Sequence, residues 1–186
     1  MTELEKMLDG RLYDASDHVL AEARRRARRL TRRFNATDPG DDAARSILLC
    51  DLLGEFGDRS SIEPPFRCDY GAHISVGARV FVNMACIFLD AAPITLGDDV
   101  QLGPAVQLLT SDHPRNAEER AGGLESARPI VIGAGAWLGG GVIVLPGVKI
   151  GEGAIIGAGS VVTRSVAPGV VAAGNPCRPI PGPHTG

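Results

Sequence analysis

The sequence predicts a mainly β protein, a parallel β-helix of triangular coils that follows an N-terminal α-helical segment. Three observations predict this fold. The chain has 186 residues with 24 glycines, its aromatic content is 4% although 44% of its residues are hydrophobic, and its apolar residues recur every six positions in the C-terminal half. A core of Val, Ile, Leu and Ala without stacked rings is typical of a solenoid, in which each coil packs on the next.

Residues 1–57 are predicted to form the helical segment. Ser16 or Asp17 can cap a first helix whose apolar positions share one face, namely Leu20, Ala23, Ala27, Leu30 and Phe34. The stretch FNATDPGDD ends this helix, because it holds Asn, Pro and Gly, and it supplies Asp41 or Asp42 as the next cap. The apolar stripe of the second helix is then Ala44, Ile47, Leu48, Leu52 and Phe56.

Residues 132–167 repeat with a period of six, as IGAGAW LGGGVI VLPGVK IGEGAI IGAGSV VTRSVA. The first position is always aliphatic, the second is Gly in four of the six cases, and the fifth is small or β-branched. A short strand followed by a tight turn at a small residue explains this pattern, and three such sides close a coil of 18 residues. Residues 58–180 are therefore predicted to form one β-helix domain, and 181–186 a C-terminal tail.

A looser array precedes this block, with VGARVF VNMACI FLDAAP from Val76 and LGDDVQ LGPAVQ from Leu96. Cys68 and Cys86 stand 18 residues apart in this part of the chain. We expect them to be core residues that stack in successive coils.

Residues 110–129, TSDHPRNAEERAGGLESARP, interrupt the period with a polar loop that is predicted to protrude from the β-helix. A long loop in a rigid solenoid is usually functional. This loop contains His113, one of four histidines in the chain. It is therefore the place where chemistry is expected.

Charge and cysteine content exclude several classes of function. The chain has 19 basic and 22 acidic residues and a net charge of -3, which gives no general attraction to nucleic acid or to an anionic membrane. The run of arginines in the first helix is expected to be mostly a solvated surface, with some side chains facing an anionic ligand or a partner subunit. The four cysteines form no CxxC motif and the chain starts without a signal-peptide pattern, so we expect a cytoplasmic protein with reduced thiols.

The six-residue repeat, the DHP of the loop and the stretches GGGVIVLPGVKIG, GAGSVVT and VVAAGNPCR resemble the hexapeptide-repeat acetyltransferases, in particular their maltose and galactoside O-acetyltransferase branch. EKMLDGRLY and IEPPFRCDYG extend the resemblance over nearly the whole chain. The resemblance implies a left-handed parallel β-helix and a homotrimer with active sites between subunits. It also implies transfer of an acetyl group from acetyl-CoA, the co-substrate, to a hydroxyl of a sugar.

By the same resemblance, His113 matches the general base that removes the proton of the acceptor hydroxyl. Histidine suits this task because its ordinary pKa lies near neutrality. Asn83 in FVNMAC matches a residue that helps to stabilise the transition state. The chain has no nucleophile signature of the Ser-His-Asp or Cys-His type, which favours direct transfer over an acyl-enzyme. The residues that match acetyl-CoA contacts are Gly140, Ala158, Gly159, Thr163, Arg164 and Arg178.

The resemblance is less specific about the acceptor. Asp69, Arg24, Arg26 and Glu125 match or lie near positions that contact the sugar. Two acidic positions that hold the sugar in galactoside-type members correspond to Ala15 and Ala91, so this chain lacks both carboxylates. Maltose, glucose, a galactoside, an oligosaccharide and a non-sugar alcohol therefore all stay open as acceptors.

Three other functions are alternatives to this one. A zinc-dependent lyase on a β-helix needs three histidine ligands, and only His73 and His113 lie in the repeat region, so no metal is expected. A non-catalytic β-helix scaffold stays open, because Gly140, Ala158 and Gly159 suit the geometry of a coil without any ligand. RNA binding through the arginine-rich helix is disfavoured, since acidic residues balance that segment.

Overall fold

A computed structural model describes residues 1–181 and has four helices among them: α1 (Glu3–Leu8), α2 (His18–Asn35), α3 (Asp42–Leu52) and α4 (Ala117–Ala121). The strands are short: β1 (Tyr13–Asp14), β2 (Glu55–Phe56), β3 (Ser61–Ile62), β4 (Arg67–Cys68), β5 (Ile74–Val76), β6 (Phe81–Val82), β7 (Ile87–Leu89), β8 (Ile94–Leu96), β9 (Gln101–Leu102), β10 (Gln107–Leu109), β11 (Ser111–Asp112), β12 (Leu124–Ala127), β13 (Ile130–Ile132), β14 (Trp137–Leu138), β15 (Ile143–Val144), β16 (Lys149–Ile150), β17 (Ile155–Ile156), β18 (Val161–Val162), β19 (Val171–Ala173) and β20 (Arg178–Pro179). Of the predicted tail at 181–186, residues 182–186 lie outside the described residues.

Three parallel sheets form the three sides of a β-helix. The first runs through β2, β5, β8, β13 and β16, and the second through β4, β7, β10, β15 and β18. The third runs through β3, β6, β9, β14, β17 and β19, and β20 adds to it in the antiparallel direction. The prediction of a mainly β solenoid with an N-terminal helical segment is confirmed.

The aliphatic positions of the six-residue repeat form the core. The first position of each six is buried throughout, from Ile132 at 0% exposure to Val162 at 0%. Phe66 and Phe88 form an edge-to-face pair within this mainly aliphatic core, with ring centroids 5.1 Å apart. Stacking the inward residues of each coil on those of the next removes them from water without large rings.

The spacing of the coils differs along the helix. Strand partners lie 20 residues apart in the first coils, as in the pair Ile74 and Ile94, and 18 apart in the later ones, as in the pair Trp137 and Ile155. The prediction that Cys68 and Cys86 stack on each other is therefore wrong, because the 20-residue register places Cys68 opposite Phe88. Both cysteines are buried in the core, as expected.

One row of glycines lets successive coils approach each other closely. It comprises Gly57, Gly77, Gly97, Gly133 and Gly151. A Cβ on Gly97 would lie 2.6 Å from the backbone nitrogen of Ala134, and one on Gly133 would lie 2.5 Å from that of Glu152. No side chain fits there without moving the neighbouring coil.

The helical segment begins its helices where the sequence predicts. The carboxylate of Asp17 accepts hydrogen bonds from the N–H groups of Val19 and Leu20, and Asp41 caps α3 through the N–H of Ala44. The apolar stripe of α3 is partly wrong, since Ile47 is 64% exposed.

The register of α3 explains that difference, because Leu49 is buried in place of Ile47. Phe56, which is predicted for the same stripe, lies in β2, and β2 pairs with β5. The helix has already ended, with Leu53 in an extended conformation. The β-helix therefore starts before the predicted boundary at residue 58.

The loop at 110–129 is an ordered excursion. It holds β11, α4 and β12, and β12 pairs in antiparallel fashion with β11 and with β1 from the N-terminal segment. Tyr13 lies opposite Glu125 in this sheet, across 112 residues of sequence. None of the helices within residues 1–181 has the length and apolar character needed to cross a bilayer.

Candidate active site

A polar cleft of about 250 Å³ lies where the N-terminal segment, α2, the first coils and the loop meet. Three of the four residues predicted to contact an acceptor, Asp69, Arg24 and Glu125, line this cleft together. The other lining residues are Tyr13, Ala15, Arg28, Tyr70, Ala91 and Ser111. The fold thus brings together side chains that are far apart in sequence.

Two hydrogen-bonded pairs fix the walls of the cleft. Arg24 donates from Nη1 to the hydroxyl of Tyr70 at 2.7 Å and from Nη2 to the carbonyl of Ala15 at 2.6 Å. Tyr13, which is 1% exposed, donates its hydroxyl to Glu125 Oε2 at 2.8 Å. Both arrangements hold a charged group in one orientation, which is what recognition of a polar ligand requires.

Asp90 supports the turn that carries two of the cleft residues. Its buried carboxylate accepts hydrogen bonds from the backbone N–H groups of Asp69 at 3.0 Å and of Tyr70 at 2.8 Å, and a longer one from His73 at 3.4 Å. The turn that carries Asp69 and Tyr70 is thereby held by a neighbouring coil. Asp90 acts as a structural acceptor for this turn.

The carboxyl of Asp69 is shifted toward its neutral form. Burial raises its pKa to about 6, the charge of Asp90 adds to this increase, and Arg24 opposes it. A carboxyl with a pKa so far above the ordinary Asp value, inside a cleft, is typical of a functional site.

Asp69 is expected to make the protein less stable as the pH rises. Because its folded-state pKa lies above that of an unfolded Asp, its favourable contribution is complete below about pH 4 and is lost as the pH passes through about 6. Asp69→Asn should therefore unfold at a higher temperature than the wild type at about pH 7.5, with a much smaller difference at about pH 4. Thermal unfolding at both pH values, with the exposed Asp58→Asn as control, tests this. An equal difference at both values would contradict it.

Arg26 lies apart from the cleft. Its guanidinium is exposed and donates from Nη2 to the carbonyl of Asp51 at 2.6 Å. Arg28, one helical turn beyond Arg24, lines the cleft instead. Arg24 and Arg28 are four residues apart and share a face of α2. Arg26 is two residues from each of them and points away from that face.

The predicted catalytic residues lie in different parts of the structure, His113 in the loop at 110–129 and Asn83 at a corner of the β-helix. His113 is exposed and directly follows β11, two residues after Ser111 in the cleft, and its backbone N–H donates to Asp112 Oδ1 at 2.9 Å. Asp112 is also paired with Arg128 at 3.6 Å, which holds this end of the loop. Asn83 follows β6 and accepts from the N–H of Met84 at 2.8 Å.

The predicted acetyl-CoA residues lie toward the C-terminal end of the β-helix. Gly140, Ala158 and Gly159 belong to one row of corners, and Gly159 N–H donates to Gly140 carbonyl at 2.9 Å. Within residues 1–181 the N–H of Gly140 has no hydrogen-bond acceptor, a property shared by other corner residues of the coils. Thr163, Arg164 and Arg178 are exposed at the same end, and Arg178 lies in β20.

The residues that sequence reasoning missed are Tyr13, Tyr70, Arg28 and Ser111. Only the pairing of β1 with β12 brings Tyr13 to the cleft, and no local pattern signals a pairing across such a distance. In the part of the chain that the structure covers, no group of three His, Cys, Asp or Glu side chains is arranged to hold a metal ion.

Two family models match the chain: the maltose acetyltransferase hexapeptide capping motif over residues 6–57 and the bacterial transferase hexapeptide (six repeats) over residues 129–164. The chain is also 49% identical over 178 residues to Nodulation protein L of Rhizobium meliloti (strain 1021), which covers 95% of this chain and 97% of that relative. The chain belongs to the hexapeptide-repeat acetyltransferases.

Solved structures place this acetyltransferase in the maltose and galactoside O-acetyltransferase branch. A maltose O-acetyltransferase from Clostridium difficile 630 superposes with a TM-score of 0.96 at 47% identity, covering 97% of this chain and 96% of that one. A galactoside acetyltransferase in complex with coenzyme A has a TM-score of 0.94 at 36% identity, covering 97% and 90%. The predicted family and the prediction of an acetyl-CoA-dependent O-acetyltransferase are confirmed.

Proposed function

We propose that this acetyltransferase moves the acetyl group of acetyl-CoA to a hydroxyl of a sugar bound in the cleft, with His113 as the general base. The cleft is the observation that carries the proposal. Arg24 offers N–H donors, while Asp69 and Glu125 offer acceptors, and sugar hydroxyls need both kinds of partner. The strand that lines the cleft at Ser111 leads directly to His113.

The acetyl group passes directly from the thioester to the acceptor, through a tetrahedral oxyanion and without an acyl-enzyme. His113 removes the proton of the acceptor hydroxyl as its oxygen attacks the carbonyl carbon. The C–O bond forms, the C–S bond breaks, and the CoA sulfur leaves with the proton that the imidazolium returns. Negative charge develops on the carbonyl oxygen, where the unpaired N–H of Gly140 and the amide of Asn83 supply donors.

Acetyl-CoA is proposed to lie along the row of corners at Gly140, Ala158 and Gly159. Small residues there leave room for the pantetheine arm. Thr163 supplies a hydroxyl near its end, and the exposed guanidinium groups of Arg164 and Arg178 suit the phosphates. The galactoside acetyltransferase structure holds coenzyme A, which supports acetyl-CoA as the acetyl donor.

The enzyme is proposed to act in the cytoplasm as a homotrimer whose sites lie between subunits. Within residues 1–181 the side chain of Asn83 hydrogen-bonds only to the adjacent Met84 and the His113 ring makes no hydrogen bond, which agrees with a site that a second copy completes. Trp137, Met84 and Phe81 are 53%, 52% and 37% exposed, and covering them would remove apolar surface from water.

An acceptor screen tests the proposed function. Release of the CoA thiol is followed with glucose, maltose, galactosides and non-sugar alcohols as acceptors. We expect turnover with at least one sugar. Ala15 and Ala91 line the cleft, and neither offers a carboxylate to a sugar hydroxyl. Turnover with non-sugar alcohols alone would overturn the sugar proposal.

Tyr13→Phe is expected to weaken acceptor binding while leaving acetyl-CoA binding unchanged. The variant keeps the buried ring but removes the donor that holds Glu125, and a hydrogen bond to a charged group contributes about 1.5–3 kcal/mol. Steady-state kinetics should show about a tenfold higher KM for the acceptor and an unaltered KM for acetyl-CoA. Glu125→Gln keeps an oxygen that can accept from the Tyr13 hydroxyl, so it should raise this KM less than Tyr13→Phe does. An unchanged acceptor KM in Tyr13→Phe would contradict this role.

A further inference from the structure

A second pocket of about 470 Å³ adjoins the acceptor cleft, and the mechanism does not use it. Arg28, Arg32 and Arg67 line it, together with Thr31, Asn35 and Ala36, and we call it the arginine pocket. Arg28 lines both spaces. It also lies near enough to Asp69 to lower the pKa of that carboxyl. Arg28 thus borders both spaces.

The guanidinium groups of the arginine pocket form no direct ion pair within residues 1–181. On the same helix, Arg25 and Arg29 each form an ion pair with Glu22. Arg28, Arg32 and Arg67 form no such ion pair with any described carboxylate, and no acidic residue lines the pocket. Arg28 and Arg32 are one helical turn apart, where like charges repel each other.

The wall behind these arginines is rigid. Asn35 donates from Nδ2 to the carbonyl of Phe66 at 2.9 Å, and its Oδ1 accepts from the N–H of Phe66 at 2.8 Å. Phe66 is fully buried and immediately precedes Arg67. This two-way clamp fixes α2 against β4, so the backbones that carry the three arginines keep their relative positions.

We propose that the arginine pocket binds an oxyanion carried by the acceptor, so that the preferred acceptor is an acidic saccharide. Its reacting hydroxyl occupies the cleft, and its phosphate, sulfate or carboxylate pairs with Arg28, Arg32 and Arg67. Guanidinium groups bind such oxyanions through forked, charge-assisted hydrogen bonds. This inference rests on the proposed function, because it names the class of sugar that the same site takes.

The test compares neutral and acidic acceptors that share a ring. Glucose is compared with glucose 1-phosphate, glucose 6-phosphate and glucuronic acid, which separates phosphate from carboxylate as the anion. For the wild type we expect kcat/KM about tenfold or more higher for one acidic acceptor than for glucose. Arg32→Gln and Arg67→Gln should each bring this ratio to about one, whereas Arg33→Gln, an exposed neighbour on α2 outside the pocket, should preserve it.

A binding measurement without turnover complements the kinetics. Inorganic phosphate should raise the unfolding temperature of the wild type and of Arg33→Gln, and should raise that of Arg32→Gln and Arg67→Gln less. Several results would overturn the inference: equal kcat/KM for neutral and acidic sugars, a rise in KM for acetyl-CoA in Arg32→Gln, or a salt-sensitive loss of assembly in these variants without a change in acceptor preference. Absence of transfer to every sugar would instead refute the proposed function itself.

Discussion

His113→Ala is expected to lower kcat for acetyl transfer by about 10²–10⁴-fold, because the acceptor hydroxyl then loses its general base. The side chain is exposed at the end of β11, so its removal leaves no cavity in the core. KM for acetyl-CoA and the unfolding temperature should therefore stay close to those of the wild type. The measurement is CoA thiol release with a saturating acceptor, together with a thermal melt of each protein.

His18→Ala is the matched control, since His18 is 91% exposed and lies on α2 away from the loop. It should retain full activity. Added imidazole should restore part of the activity of His113→Ala and have no effect on His18→Ala. Activity of His113→Ala equal to that of the wild type would remove His113 from the mechanism.

Gly133→Ala is expected to destabilise the β-helix by about 3 kcal/mol, which lies at the upper end of the range for overpacking. The new Cβ would lie 2.5 Å from the backbone nitrogen of Glu152 and 2.8 Å from the carbonyl carbon of Gly151. Both atoms belong to the next coil, and backbone atoms cannot move aside as a flexible side chain can. For a chain of this length, such a loss lowers the unfolding temperature by about 6–12 °C.

Gly135→Ala is the control in the same corner. Gly135 has φ +67° and nothing within 4 Å of a Cβ, so the substitution carries only backbone strain of about 1 kcal/mol. The equivalent residues of the two preceding coils, Asp99 and Arg79, already adopt positive φ with a side chain. Differential scanning calorimetry of both variants checks the contrast. Equal losses of stability would refute the close-approach argument.

The repetitive part of the fold could be predicted from the sequence because its signal is local and repeated. Each six-residue unit makes the same strand and corner, so Ile132, Leu138 and Val144 all mark the same buried position. Helix caps are equally local, and Asp17 and Asp41 are the caps that the structure shows. These features depend on residues a few positions apart.

Features that depend on register or on distant pairing could not be predicted. In the 20-residue coils Cys68 lies opposite Phe88 and not opposite Cys86. Nothing in the composition indicates that these coils have two more residues than the later ones. Leu49 is buried where the sequence predicts Ile47, because the face of α3 that is buried depends on its packing against α2 and not on its own periodicity alone. For the same reason the N-terminal strand that carries Tyr13 to Glu125 was missed.

The candidate site was predictable in part. Resemblance led to Asp69, Arg24 and Glu125, and the structure brings them into one cleft. Arg26 lies elsewhere, because two residues along a helix turn a side chain away from the face of Arg24. The arginine pocket could not be predicted, because it depends on how α2, which carries Arg28, packs against β4.

The central claim is that one acetyl group passes directly from acetyl-CoA to a sugar hydroxyl at the His113 loop. It is tested most directly by incubating the enzyme with carbonyl-labelled acetyl-CoA and the best acceptor of the screen, then identifying products by mass spectrometry and NMR. The account predicts one acetyl ester on the sugar for each CoA released, with no acetylated protein and almost no product for His113→Ala. CoA release without an acetylated sugar, or an acetyl group left on the protein, would contradict it.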